Sequence, residues 1–331
     1  MLIKDIGEQG LLRILQKFCP AEIVGDDCAV MATTPNQSLA ITTDMLVDGV
    51  HFSDRTTGPY YAGWRAAAAN LSDLAAMGAT PLAVTVALAV AADTAVEWVE
   101  EFYRGMTACL QEYHTPIIGG DVVRSPVVTV AITAFGEVEC DRTISRSNAR
   151  SGWAIVATGV HGASRAGLEL LLNPEFGQNL TKVDRASLIL AHQCPKPRLD
   201  VLPVVWEILE AAGEFSIAGM DSSDGLADAI IQICRASGVG AKVDRTKIPI
   251  PHIFSEILST EKAFDWALYG GEDFELVLFL PLVNAELLVE KIGNAAAIVG
   301  TATDSTDIWL TDSTGIYPDT ILKLDRGFQH F

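Results

Sequence analysis

The chain has 331 residues, 49% hydrophobic and 7% aromatic, enough apolar material for about two ordinary domains, which excludes the disordered and fibrous classes. Its 42 acidic against 23 basic residues give a formal charge of −19, so a broad basic footprint for nucleic acid or an anionic membrane is absent, and an anionic ligand would need metal ions as mediators. Six cysteines lie far apart with no CxxC or Cys/His pairing, which argues against a zinc cluster or a disulfide framework and fits reduced thiols in a cytoplasmic protein.

The first stretch, MLIKDIGEQGLLRIL, carries charges where an export signal would be apolar. GDDCAV, residues 25–30, then sets Asp26 beside Asp27; taken alone it reads as a turn, because Asp accepts hydrogen bonds from nearby amides. SLAITTDMLV (38–47) predicts a strand with Thr42, Thr43 and Asp44 at a strand end, and VDGVHF follows with His51, a residue type more often structural than catalytic. AGWRAAAANLSDLAAM (62–77) is Ala/Leu-rich at helical spacing and stops at Gly78, a natural C-terminal cap. Within it Asn70 and Asp73 are three apart and share a face.

PLAVTVALAVAA (81–92) falls far short of the ~20 residues a spanning helix needs and predicts a buried strand. Thr94, with Glu97 three residues on, predicts a capping box opening a helix that runs to about Tyr113. TPIIGGDVV supplies Gly119, Gly120 and Asp121, and VVTVAITAFGEV (127–138) is a β-branched run suited to a sheet. The polar segment ECDRTISRSNARSG (139–152), with Arg142, Arg146 and Arg150, marks a domain boundary, placed between residues 145 and 146.

Beyond it WAIVATGV predicts a strand and residues around 164–172 a helix. FSIAGMDSSDGLADAIIQICRASG predicts a short strand running into a helix, with Asp221, Ser223 and Asp224 at the joint, where backbone amides and the helix dipole favour anions. FELVLFLP (274–281) is a further strand, preceded by Gly270, Gly271, Glu272 and Asp273. The alternation predicts two α/β or α+β domains, 1–145 and 146–331.

Acidic joints thus recur along the chain. Carboxylates at strand ends can meet on one rim of an α/β framework although they are far apart in sequence. Such a cluster repels itself unless cations fill it, and carboxylates joined by the hydroxyls of Thr42, Thr43 and Ser223 suit Mg²⁺. None of the joints holds a lysine or a GxxxxGK[ST] loop, so neutralising a phosphate would fall to metal ions assisted by arginines.

Taken together, GDDCAV, TTDMLVDGVHF, NLSDLAAMGATP, IIGGD, SSDGL, GGEDFEL and the terminal GFQHF closely resemble the thiamine-monophosphate kinase family of the aminoimidazole-ribonucleotide-synthetase-like ATP-binding superfamily. The resemblance implies ATP- and Mg²⁺-dependent conversion of thiamine monophosphate to thiamine diphosphate by direct transfer, with no phosphoenzyme and no catalytic base. Carried over residue by residue, it implies Asp27, Thr42, Thr43, Asp44, Asp73, Asp121, Asp221 and Asp224 as metal ligands. Gly120, Asp121, Arg146 and Ser223 would contact ATP, and His51, Glu272 and Phe328 the thiamine phosphate. It further implies an N-terminal domain that binds ATP and metal and pairs its sheet in a homodimer, and a C-terminal α/β domain. One departure stands at ARSGW, where the family often reads Pro-Gly-Asp, close to Arg146. Two other readings remain: a superfamily synthetase activating a different acceptor, and a non-catalytic Mg-nucleotide module.

Overall fold

In the computed structural model, which describes every residue except 22, 24–27, 294, 325, 326 and 328–331, the chain divides into two compact units. One comprises residues 1–74 with 79–140, the other residues 75–78 with 141–331. Asp26, Asp27 and Phe328, singled out above, lie outside the described residues.

The first unit runs α1 (Ile3–Leu15), β1 (Gln37–Val47), α2 (Pro59–Ala76), β2 (Thr80–Val90), α3 (Val96–Glu112), β3 (Ile117–Arg124) and β4 (Thr129–Glu139). Its four strands form one sheet in the order β1-β4-β2-β3, antiparallel except for the β2/β3 pair. Period-2 alternation splits the side chains. Val84, Val86 and Leu88 of β2 and Val130, Ile132 and Ala134 of β4 are buried, whereas Leu39, Ile41 and Met45 of β1 are exposed on the opposite face.

Two expectations change here. Asp44 and the Gly119-Gly120-Asp121 run lie inside strands, not at their ends: β1 ends at Val47, as the run 38–47 predicts, three residues beyond Asp44, and β3 runs on to Arg124. The capping box at Thr94 does not form: α3 begins at Val96, its N-cap is Ala95, and no side-chain cap is made. The chain's first residues take over that task, since the Val96 amide donates to the Met1 carbonyl at 3.1 Å and the Ile3 amide to the Thr94 carbonyl at 3.0 Å. Backbone from a second segment thereby replaces the hydroxyl that the local pattern offers.

The second unit runs β5 (Ala154–Ala157), α4 (Ala163–Leu172), α5 (Lys182–Gln193), α6 (Leu202–Ala212), β6 (Ala218–Asp221), α7 (Leu226–Ser237), β7 (Gly240–Asp244), α8 (Phe254–Ile257), α9 (Thr260–Tyr269), β8 (Leu276–Leu280), α10 (Leu282–Ile292), β9 (Ala297–Thr303), β10 (Ile308–Thr311) and β11 (Thr320–Ile321). Its strands form a seven-stranded mixed sheet, β11-β10-β7-β9-β5-β8-β6, with only β7/β10 parallel. Every residue of β5 and β8 is buried, as expected of strands covered on both faces. Ile155, Ala157, Val277 and Phe279 pack with α7, while Ala154, Val156, Leu276 and Leu278 pack with α6 and α10. A third cluster gathers α4, α5, α8 and α9 around Phe254 and Trp266.

Candidate functional site

In the first unit, strand alternation turns Thr42 and Asp44 to the face covered by α2, and the helical spacing of Asn70 and Asp73 brings both opposite them. The Thr42 hydroxyl donates to the Asp73 carboxylate, and the Asp44 amide donates to Asn70 Oδ1 at 3.1 Å. Asn70 is fully buried and is anchored by its own amide donating to the Ala66 carbonyl at 3.0 Å. Thr42 and Asp73, and the Asp44 backbone and Asn70, are therefore tied across β1 and α2, and alternation sets the Asp44 carboxylate on the same face.

Thr43 does not join it. Alternation turns its hydroxyl to the uncovered face of the sheet, where it meets the Thr133 hydroxyl at 2.9 Å. The register β3 Asp121 ↔ β2 Ala87, with Ala87 in line with Ala131 and Met45, sets Asp121 on that same uncovered face. Gly120 has a structural use: a Cβ there would lie 2.0 Å from the Val86 carbonyl oxygen, so the glycine lets β3 reach β2. His51 is fixed locally, with its Nδ1 accepting from the Val47 amide at 3.0 Å and its carbonyl accepting from the Arg65 guanidinium at 3.3 Å.

In the second unit, three loops meet at the ends of β5, β6 and β8. Asp221 closes β6 and is buried, and the Ser223 hydroxyl donates to its Oδ1 at 3.1 Å. Neither Ser223 nor Asp224 caps α7; the N-cap is Gly225, which has a left-handed φ of 106° and whose missing Cβ would lie 2.8 Å from the Leu268 carbonyl oxygen. The 222–225 and 270–275 loops are tied by backbone: the Ser222 amide donates to the Glu275 carbonyl at 2.8 Å and the Glu272 amide to the Ser223 carbonyl at 2.7 Å.

Electrostatics link Arg146 to this loop. The half-buried Asp228, in the first turn of α7, has its carboxyl pushed upward by burial and by the Asp224 charge, and drawn back by its bond from Gln232 and by the charges of Arg146 and Arg235. Asp228 escaped the sequence reading: Asp224 precedes the N-cap of α7, so helical spacing does not pair the two carboxylates, and only the folded loop brings their charges together. His161 escaped it too. It is fully buried, its Nε2 lies 3.0 Å from the Ser222 hydroxyl, and burial lowers its pKa to about 4.

Glu272 and Asp273, adjacent in sequence, face different surroundings. Asp273 accepts from the Gly162 amide at 2.6 Å and the Ser164 amide at 2.9 Å, capping α4 from a distant segment. Burial, with help from the Glu275 and Glu272 charges, pushes its carboxyl up to about 7 against the opposing effect of those two amides. Glu272 Oε2 instead lies 3.6 Å from the ring of His192. Below them Arg198 bonds the Glu275 carboxylate and donates to the Thr158 carbonyl at 2.9 Å.

Among the described residues no three His, Cys, Asp or Glu side chains are grouped to hold a metal ion. The donors that are grouped, Thr42, Asp44, Asn70 and Asp73, carry only oxygen on the atoms that would bind, and a hard cation such as Mg²⁺ fits that set, retaining several waters. No helix of the described residues is long and apolar enough to cross a membrane.

Residues 25–138 match the family described as AIR synthase related protein, N-terminal domain. The thiamine-monophosphate kinase of Synechococcus elongatus is 49% identical to this chain over 99% of its length and 98% of that protein's. Among solved structures, the thiamine-monophosphate kinase of Stenotrophomonas maltophilia aligns with a TM-score of 0.76 at 32% identity, covering 86% of this chain and 88% of that one. AaThiL complexed with AMPPCP and TMP aligns with a TM-score of 0.72 at 28% identity, covering 97% of this chain and 98% of that one.

Proposed function

This chain belongs to the thiamine-monophosphate kinase family, and from that premise we propose that it phosphorylates thiamine monophosphate with ATP, giving thiamine diphosphate by direct in-line transfer of the γ-phosphate. The observation that carries the reading is the 49% identity across essentially the whole chain, and the structural likeness to a relative complexed with AMPPCP and TMP supports it.

Each residue's part follows from its chemistry. In the first unit Thr42, Asp44 and Asp73 would hold Mg²⁺ with Asp27, while Thr43 and Asp121 have their side chains on the other face of the sheet; in the second unit Asp221 and Asp224 would be its ligands. Mg²⁺ supplies positive charge against the phosphate oxygens of ATP and acceptor, which a chain of charge −19 cannot otherwise offer. Gly120 and Ser223 would contact ATP from the backbone and loop, and Arg146 would add a cation. His51, Glu272 and Phe328 bind the acceptor, where the Glu272 carboxylate suits its cationic ring.

No base is required. A phosphate monoester, with a second pKa near ~6, already presents an oxyanion nucleophile at neutral pH, whereas an alcohol must be deprotonated.

The test is ADP release with thiamine monophosphate or thiamine as acceptor, with chromatography of the product and with chelator present or absent. The expected result is thiamine diphosphate formed from the monophosphate alone, stopped by chelation and restored by Mg²⁺. Equal turnover of thiamine, or ADP release without thiamine diphosphate, overturns the reading.

A further inference from the structure

The 270–275 loop holds an uncommon backbone. Gly271, Glu272 and Phe274 all take left-handed φ values, 66°, 59° and 51°, a region disfavoured for side chains larger than glycine. Such a loop keeps its shape only if its surroundings impose it. Backbone bonds fix its course, as the Glu272 amide does on Ser223, and Asp273 is clamped by the amides that open α4.

The Glu272 side chain faces a ring of its own, at ion-pair rather than hydrogen-bond distance. His192, near the C-terminal end of α5, is only 2% exposed, so no ligand in solvent can lie against its ring. Its Nδ1 stands 3.6 Å from Glu272 Oε2 and 3.1 Å from the hydroxyl of Ser164, which is itself 1% exposed. Ser164 in turn is pinned through its amide by Asp273. The backbone that carries the ring is fixed, because α4 and α5 meet at Gly167: a Cβ there would lie 2.1 Å from the Leu188 carbonyl oxygen and 2.9 Å from His192 Cβ.

We propose that His192, held by Ser164, is a positioning residue that orients the Glu272 carboxylate and thereby sets affinity for the phosphorylated acceptor, an inference that rests on the reading of Glu272 as an acceptor contact. The Ser164–His192–Glu272 chain acts on acceptor binding and leaves the nucleotide alone. Loss of the ring releases Glu272 to other rotamers, and misplacement of this order is felt in binding and rate.

Steady-state kinetics test it with thiamine monophosphate and ATP each varied in turn. His192→Leu fills the space without a polar atom at the Nδ1 position, and His192→Asn restores one. The leucine variant is expected to raise the acceptor KM about tenfold and leave the ATP KM within about twofold, with the asparagine variant back to within about threefold of wild type. On a Glu272→Gln background, His192→Leu should add less than about twofold, because the effect passes through the carboxylate already removed. Where His192→Leu does not fold, Ser164→Ala decides: an acceptor KM raised about threefold supports the chain of contacts, and an unchanged one overturns it. Equal rises in both KM values, or additive effects of His192→Leu and Glu272→Gln, also overturn it. An inactive wild type would overturn the acceptor reading and this inference with it, an outcome distinct from an active wild type with indifferent variants.

Discussion

Asp273 and His161 belong to neighbouring loops of the second unit, and burial moves them in opposite directions. Asp273 is raised from 3.8 to about 7, so the folded protein keeps a proton that the unfolded chain has already released. That contribution is full below about 4 and is lost as the pH rises toward about 7. His161 is lowered from 6.5 to about 4, so the unfolded chain takes up a proton that the folded one refuses, and stability is lost as the pH falls from 6.5 to about 4. The two windows overlap with opposite sign and mask each other in the wild type. Asp273→Asn removes one of them while keeping an acceptor for the α4 amides. The Tm difference between this variant and wild type should therefore shift in favour of the variant by several degrees between pH 4.5 and 8, at ~2–4 °C per kcal/mol. Parallel Tm-against-pH profiles would show that Asp273 does not titrate in this range. Nothing in the sequence separates Asp273 from Glu272, since what distinguishes them is the helix that arrives from residues 163–172.

At the scale of elements, α2 and α3 cross through two glycines. A Cβ on Gly63 would lie 1.9 Å from the Phe102 carbonyl oxygen, and one on Gly105 would lie 1.7 Å from that of Tyr60. The helices consequently touch along their backbones, and α2 is the element that presents Asn70 and Asp73 to β1. Gly105→Ala should push α2 outward, cost about 1–3 kcal/mol as overpacking does, and reduce turnover although residue 105 bears no ligand. A variant with unchanged Tm in thermal unfolding would count against this account. The helices themselves are legible, since Ala/Leu spacing and Gly78 delimit α2 to within a few residues. The crossing is not, because an isolated Gly in a helical pattern carries no mark of what lies against it. For the same reason the apolar strands 81–91 and 274–281 are readable, whereas α5, which supplies His192, has a weak local pattern and was not anticipated. The motif residues Thr42, Asp44 and Asp73 were nameable from spacing and resemblance; strand alternation already sets Thr43 opposite to Thr42, but which of the two faces α2 covers is decided by the fold.

For the whole molecule, the four-stranded sheet poses a problem that one chain leaves unsolved. Its inner face is buried, yet on the outer face Leu39, Ile41, Met45 and Val123 are 47%, 59%, 55% and 52% exposed. Cross-strand register sets Thr43, Thr133, Ala131 and Ala87 among them, so this face is largely apolar and small, with Asp121 on β3 and Glu137 beside Leu39, in an otherwise strongly acidic chain. A patch of that kind marks an interaction surface, and a self-complementary sheet face suits a two-fold pairing of identical chains. We propose that two copies pair through it, which would bring Thr43 and Asp121 to the interface. Ile41→Lys places a charge on this face in each of the two copies, while leaving the buried face of β1 untouched. Light scattering at micromolar concentration should give the mass of two chains for the wild type and of one chain for the variant, with the thermal unfolding of the isolated variant still cooperative. A wild type with the mass of one chain, or a variant that stays paired, would place the apolar face in some other use.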